Sequence, residues 1–151
     1  MIRVNGQPRV ARSSTETSAV ILNSGIIRDM SVIRGLSANG TVPMELPGSV
    51  ESLGKLHSPT IYLVGGEKDM AYPNAEADFA AIKSVPLFKA NLDVGHGGTF
   101  MEPHGGKFAE ITTQWLNWQL KGDQKAGQMF VGDKCDLCRQ TEWKVERKNL
   151  K

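Results

Sequence analysis

Residues 59–69 read PTIYLVGGEKD, and residues 86–98 read PLFKANLDVGHGG. Each stretch opens on a proline, runs through a strand-length apolar segment, and ends in a glycine loop bearing residues capable of acid–base chemistry. Thr60, Ile61, Tyr62, Leu63 and Val64 make a continuous apolar run, the pattern of a strand buried on both faces. Residues 87–94 read as a second strand. Between them, residues 74–84 place Ala75, Phe79 and Ile82 at helical spacing, with Asn74 as a suitable cap and Pro86 as a stop. Strand, loop, helix, strand, loop is the repeating unit of an α/β layer with parallel strands, covered by helices on its faces.

Working outward, residues 107–121 form an amphipathic helix. Phe108, Ile111, Trp115 and Trp118 share one face, and Gly122 supplies the stop. Upstream, residues 17–22 read TSAVIL, a short buried strand closed by Asn23, Ser24 and Gly25. Residues 26–50 are broken by Gly35, Asn39, Gly40, Pro43, Pro47 and Gly48, which predicts loop with short helices at most. Ser49 can cap one short helix over 49–56. The expected organisation is a polar N-terminal segment (1–16), an α/β core (17–122) with an irregular insert (26–58), and a C-terminal extension (123–151).

In open parallel sheets, ligands bind at the carboxyl ends of the strands. Asp69 and His96 both fall in loops just past strands, so both are expected on that rim. A histidine takes up a nucleophile's proton only when its ring is held in one tautomer, and a buried carboxylate does this. Asp69 precedes His96 by one helix and one strand, so adjacent parallel strands would bring their loops together. Gly95, Gly97 and Gly98 allow the chain to turn sharply around the histidine. Glu67 and Asp93 are the rival carboxylates. Glu67 reads as turn chemistry, and Asp93 is expected to cap the glycine turn. His57 and His104 read as structural.

These residues carry a resemblance. Gly65 to Asp69 after a proline-led strand resembles the acid loop of the α/β-hydrolases, and Val94 to Gly98 resembles their histidine loop. The helix bearing Trp115 and Trp118 resembles their final helix. The nearest branch is dienelactone hydrolase-like or polyester hydrolase-like, and the resemblance spans residues 17–120. It implies a partial α/β-hydrolase fold: a mostly parallel sheet flanked by helices, without the N-terminal half of the sheet. It also implies acyl hydrolysis of a small-molecule ester by a Ser-His-Asp triad. In that chemistry Asp69 orients the ring and His96 is the base, with no metal or organic cofactor. Tyr72, Phe100 and Met101 flank the two loops and are candidates to line an apolar substrate pocket, with ordinary packing as the alternative.

The sequence departs from the family at the nucleophile. No Gly-x-Ser-x-Gly elbow lies upstream of the first strand. Ser24, on the expected rim, is the best substitute. Ser13, Ser14, Ser37 and Ser49 are weaker, so the nucleophile is unknown. Two readings stay open: a hydrolase for which this chain brings the acid and histidine and is inactive alone, or a non-catalytic remnant that binds or dimerises. Halving a parallel sheet leaves an apolar edge through which a homo-oligomer would form.

Composition narrows the partners. Across 151 residues, 40% hydrophobic and 23% charged content fits an ordinary globular core. A net charge of +2 gives no reason to expect a nucleic-acid partner. No stretch approaches the ~18 apolar residues needed to span a bilayer, so no membrane partner is expected. The N-terminal text has no apolar signal core, while relatives of the resembled branch are often exported; localisation is left open. Lys144, Arg147, Lys148 and Lys151 read as a solvated tail. Cys135 and Cys138 read as a thiol pair or local disulfide, as free thiols, or as a metal or redox motif.

Overall fold

The structure is a computed structural model and describes residues 20–23, 53, 54 and 56–150. The N-terminal segment, most of the insert, Lys151, and Ser13, Ser14, Ser24, Ser37 and Ser49 lie outside the described residues.

Among the described residues, four strands form one sheet in the order β1-β2-β3-β4. β1 (Val20–Asn23) and β2 (Thr60–Val64) are parallel with Val20 opposite Thr60, and β2 and β3 (Leu87–Asn91) are parallel with Thr60 opposite Leu87. β4 (Lys144–Lys148) returns antiparallel along β3, with Leu87 opposite Lys148. The chain is thus a small α/β domain whose sheet has three parallel strands and one antiparallel edge.

Every residue of β2 and β3 is buried, as their apolar runs require. The two-residue period of a strand divides them between two cores. Ile61, Leu63, Phe88 and Ala90 face helix α2 (Gly106–Lys121) and pack with Phe108, Ile111 and Trp115. Tyr62, Val64 and Leu87 face the other way, toward helix α1 (Tyr72–Ala81), and pack with Ala75 and Phe79. Trp115 is the largest fully buried side chain among the described residues, edge-on to Phe130 with ring centroids 5.1 Å apart.

Helix α1 begins earlier than its sequence suggests. Pro73 sits in the first turn, where a missing N–H costs nothing, and Asn74 is buried within the helix instead of capping it. Helix α2 runs as expected to Gly122, whose φ of 70° gives the left-handed turn that ends it. β3 stops at Asn91, short of the expected Val94, because the chain then bends across the exit of β2. Leu92 N–H donates to Val64 O, and Val94 N–H to Gly65 O.

The C-terminal residues correct the reading of a solvated tail. Trp143, Cys135 and Leu137 are buried in the α2-side core, and Lys144, Arg147 and Lys148 belong to or flank paired backbone. Lys144 bonds Glu67 at 3.1 Å, Arg147 donates to Gly132 O at 2.6 Å, and Lys148 Nζ donates to Phe79 O. Basic side chains on an edge strand also discourage pairing with another chain. Burial, with Lys83 nearby, lowers the Lys148 pKa. Cys135 and Cys138 form a disulfide.

Candidate functional site

The loops after β2 and β3 meet at the carboxyl end of the sheet. Asp69 Oδ1 lies 2.8 Å from His96 Nδ1. The carboxylate is fully buried, and the imidazole is 48% exposed. Asp69 is held by its own loop: Ala71 N–H donates to Oδ1 at 2.8 Å, and Gly65 N–H to Oδ2 at 3.4 Å. Its main chain is fixed as well, with Asp69 N–H on Gly66 O and Tyr72 N–H on Asp69 O. Backbone N–H donors favour the ionised carboxylate, and an ionised carboxylate can only accept. An imidazole facing it carries its proton on Nδ1, which leaves Nε2 as the ring nitrogen able to take up another.

The histidine loop is fastened at both ends. On one side, Gly95 N–H donates to Gly65 O at 2.6 Å, tying it directly to the acid loop. On the other, buried Thr99 accepts from Phe108 N–H at 2.8 Å and donates to Gly105 O at 3.1 Å. Thr99 therefore satisfies an orphan amide in the first turn of α2 and anchors the loop to that helix. Gly65 is required by close approach, since a Cβ there would stand 1.9 Å from Gly95 O.

Neither rival acid is the carboxylate that faces His96. Glu67 is exposed and paired with Lys144, whereas Asp93 is exposed beyond the end of β3. No cap on the glycine turn from Asp93 is found among the described residues. His57 and His104 are exposed, His104 in the short turn Pro103–Gly105 that leads into α2.

Tyr72 is half buried against the α1-side core. Burial and a hydrogen bond to Glu76, with Glu67 and Glu146 nearby, push its phenol from an ordinary 10.0 up to about 12. Phe100 is exposed and meets Phe108 edge-on, with ring centroids 5.5 Å apart, and Met101 is almost wholly exposed. The large hydrophobic residues left exposed among the described residues are Met70, Val94, Phe100 and Met101. All four lie within five positions of Asp69 or His96 in the sequence, on or beside the two loops that carry the pair. Sequence reasoning missed Met70 and Val94, although their adjacency to the two loops is plain in the text. It also missed Thr99, for which position after the glycine turn was the one available signal.

A cleft of about 260 Å³ lies beside the acid loop, lined by Gly66, Glu67, Lys68, Asn91, Asp93, Glu142 and Lys144. Asp69 and His96 do not line it. Among the described residues, no group of three or more His, Cys, Asp or Glu is arranged to hold a metal ion. Likewise, no helix among the described residues is long and apolar enough to cross a membrane. No protein-family model matches the sequence, and a search of curated proteins returns no match.

Proposed function

We propose that this chain carries the acid and the base of an α/β-hydrolase-like acyl-transfer site acting on an ester or related carbonyl substrate. The observation that carries the reading is the 2.8 Å contact between the buried Asp69 carboxylate and half-exposed His96, at the exits of neighbouring parallel strands. Three features support it: acid before histidine in chain order, backbone N–H donors on the carboxylate, and a half-exposed imidazole whose Nδ1 faces that carboxylate. In such a reaction His96 takes the proton of the attacking hydroxyl and returns it to the leaving group, while Asp69 stabilises the imidazolium. The four exposed apolar residues offer a surface for an apolar acyl or alcohol group. The nucleophile is unassigned, and without it the oxyanion donors that follow it are unassigned too. The chain alone is therefore inactive in this reading.

A second reading has its own support. Exposed apolar residues next to the two loops in sequence also suit a module that binds or dimerises without catalysis, and β1 closes the sheet with one edge unpaired among the described residues.

Labelling with a fluorophosphonate probe tests the first reading. The purified chain is expected to take up no more label than a heat-denatured control. Strong labelling that disappears in His96→Ala would show a nucleophile within the chain and overturn the claim that it brings acid and base alone. Sedimentation tests the second reading: concentration-dependent dimerisation supports it, and a monomer at all concentrations removes the dimerising form.

A further inference from the structure

The Cys135–Cys138 disulfide plays no part in the acyl-transfer reading, and its two sulfurs occupy opposite environments. Cys135 is 1% exposed and packs in the α2-side core with Phe88, Trp115, Phe130 and Leu137. Cys138, three residues on, is exposed. The amide N–H of Cys138 points back and donates to Cys135 Sγ at 3.1 Å.

Disulfide exchange proceeds by attack of a thiolate on one sulfur with expulsion of the other. Exposure gives an incoming thiolate access to Cys138, while the packed core denies it Cys135. Attack at Cys138 makes Cys135 the leaving sulfur. Its developing negative charge meets the N–H already directed at it, and a donor to the charged form lowers a thiol's pKa and makes it a better leaving group. Packing then holds the expelled sulfur beside Cys138, ready to attack back.

We propose that Cys135 and Cys138 form a thiol–disulfide exchange site for low-molecular-weight thiols, with Cys138 as the attacked sulfur and Cys135 as the leaving and resolving one. In the first step a thiolate RS⁻ forms an S–S bond to Cys138, and the electron pair of the Cys138–Cys135 bond passes to Cys135. In the second step another RS⁻ attacks the R-bearing sulfur, releasing RSSR and the Cys138 thiolate. Two thiols lose two electrons, and the cysteine pair gains two electrons and, on protonation, two protons. The reverse sequence restores the disulfide. The site lies in a segment tied by Asp136 N–H to Gln128 O and by Leu137 N–H to Met129 O. Its redox state thus bears on the cover over Trp115 and Phe130.

The test uses the full chain, oxidised and folded, incubated with reduced glutathione, quenched in acid, alkylated and mapped by peptide mass spectrometry. The glutathione adduct is expected on Cys138 in at least about tenfold excess over Cys135, and without denaturant. Cys135→Ser leaves no disulfide for reduced glutathione to attack, so this variant is given oxidised glutathione instead: the Cys138 thiolate displaces one glutathione thiolate, and the adduct on Cys138 is expected to persist because the resolving sulfur is gone. An adduct shared equally between the two cysteines would overturn the proposal. So would reaction that begins only in denaturant, which would leave a purely structural disulfide. If Cys135→Ser does not fold, the adduct ratio in the unaltered chain decides alone.

Discussion

The carbonyl of Gly65 accepts the amide of Gly95 at 2.6 Å and that of Val94 at 3.1 Å. One peptide group at the exit of β2 thereby sets the position of the loop that follows β3. The geometry leaves no room for a side chain, since a Cβ on Gly65 would lie 1.9 Å from Gly95 O and 3.1 Å from Asp69 Oδ2. Gly65→Ala is expected to destabilise the fold by about 1–3 kcal/mol, the usual cost of overpacking, and to separate Asp69 from His96. Gly97→Ala is the control. A Cβ there meets nothing within 4 Å, so its effect is expected within about 0.5 kcal/mol. Urea denaturation of both variants checks the difference.

Lys89 makes a different kind of junction. Its ammonium is buried in the middle of β3, 2.5 Å from Glu76 on α1 and 2.6 Å from Glu146 on β4, above the ring of Phe79. Both carboxylates are more than a third exposed, so water screens the pairing and the packing of the four-carbon stem carries much of the effect. Lys89→Ala is expected to cost about 2–4 kcal/mol, and Lys89→Met, which keeps the volume, less than about 1.5 kcal/mol. Equal losses in the two variants, measured by denaturant titration, would assign the stabilisation to charge.

Lys89 also shows where the sequence was opaque. The runs at 60–64 and 87–91 announce buried strands through their apolar residues, and the two glycine loops after them put Asp69 and His96 on the rim from the sequence pattern alone. A lysine in a strand reads as exposed unless its partners are known, and here they lie 13 residues before it and 57 residues after it. β4 escaped notice for the same reason. Lys144, Glu146, Arg147 and Lys148 have the composition of a solvated tail, and it is pairing along β3 that orders them. The start of α1 was misread because Asn74 is a good capping residue, whereas Pro73 and the bond from Ala71 N–H to Asp69 set the first turn two residues earlier. That bond links fold and site: the carboxylate that faces His96 also takes an amide at the head of α1.

Tyr72 gives a prediction in pH. Burial and its bond to Glu76 raise its pKa from 10.0 to about 12. The native chain then holds the phenolic proton where the unfolded chain has lost it. The associated stabilisation is complete below pH 10.0 and is lost as pH rises through about 12. Spectrophotometric titration is expected to show a phenolate step with a midpoint near 12 that vanishes in Tyr72→Phe. A step at the ordinary value would mean that the ring is solvated.

Proton transfer at this pair needs Asp69 to hold His96 with its proton on Nδ1 and its Nε2 able to accept. Long-range proton–nitrogen NMR of the histidine rings at neutral pH measures this most directly. His96 is expected as the Nδ1–H tautomer, with a downfield Nδ1 proton that is lost in Asp69→Asn while the histidines at 57 and 104 stay unchanged. A neutral His96 protonated on Nε2, or a ring spectrum indifferent to Asp69→Asn, would contradict it and leave the pair without a role in proton transfer.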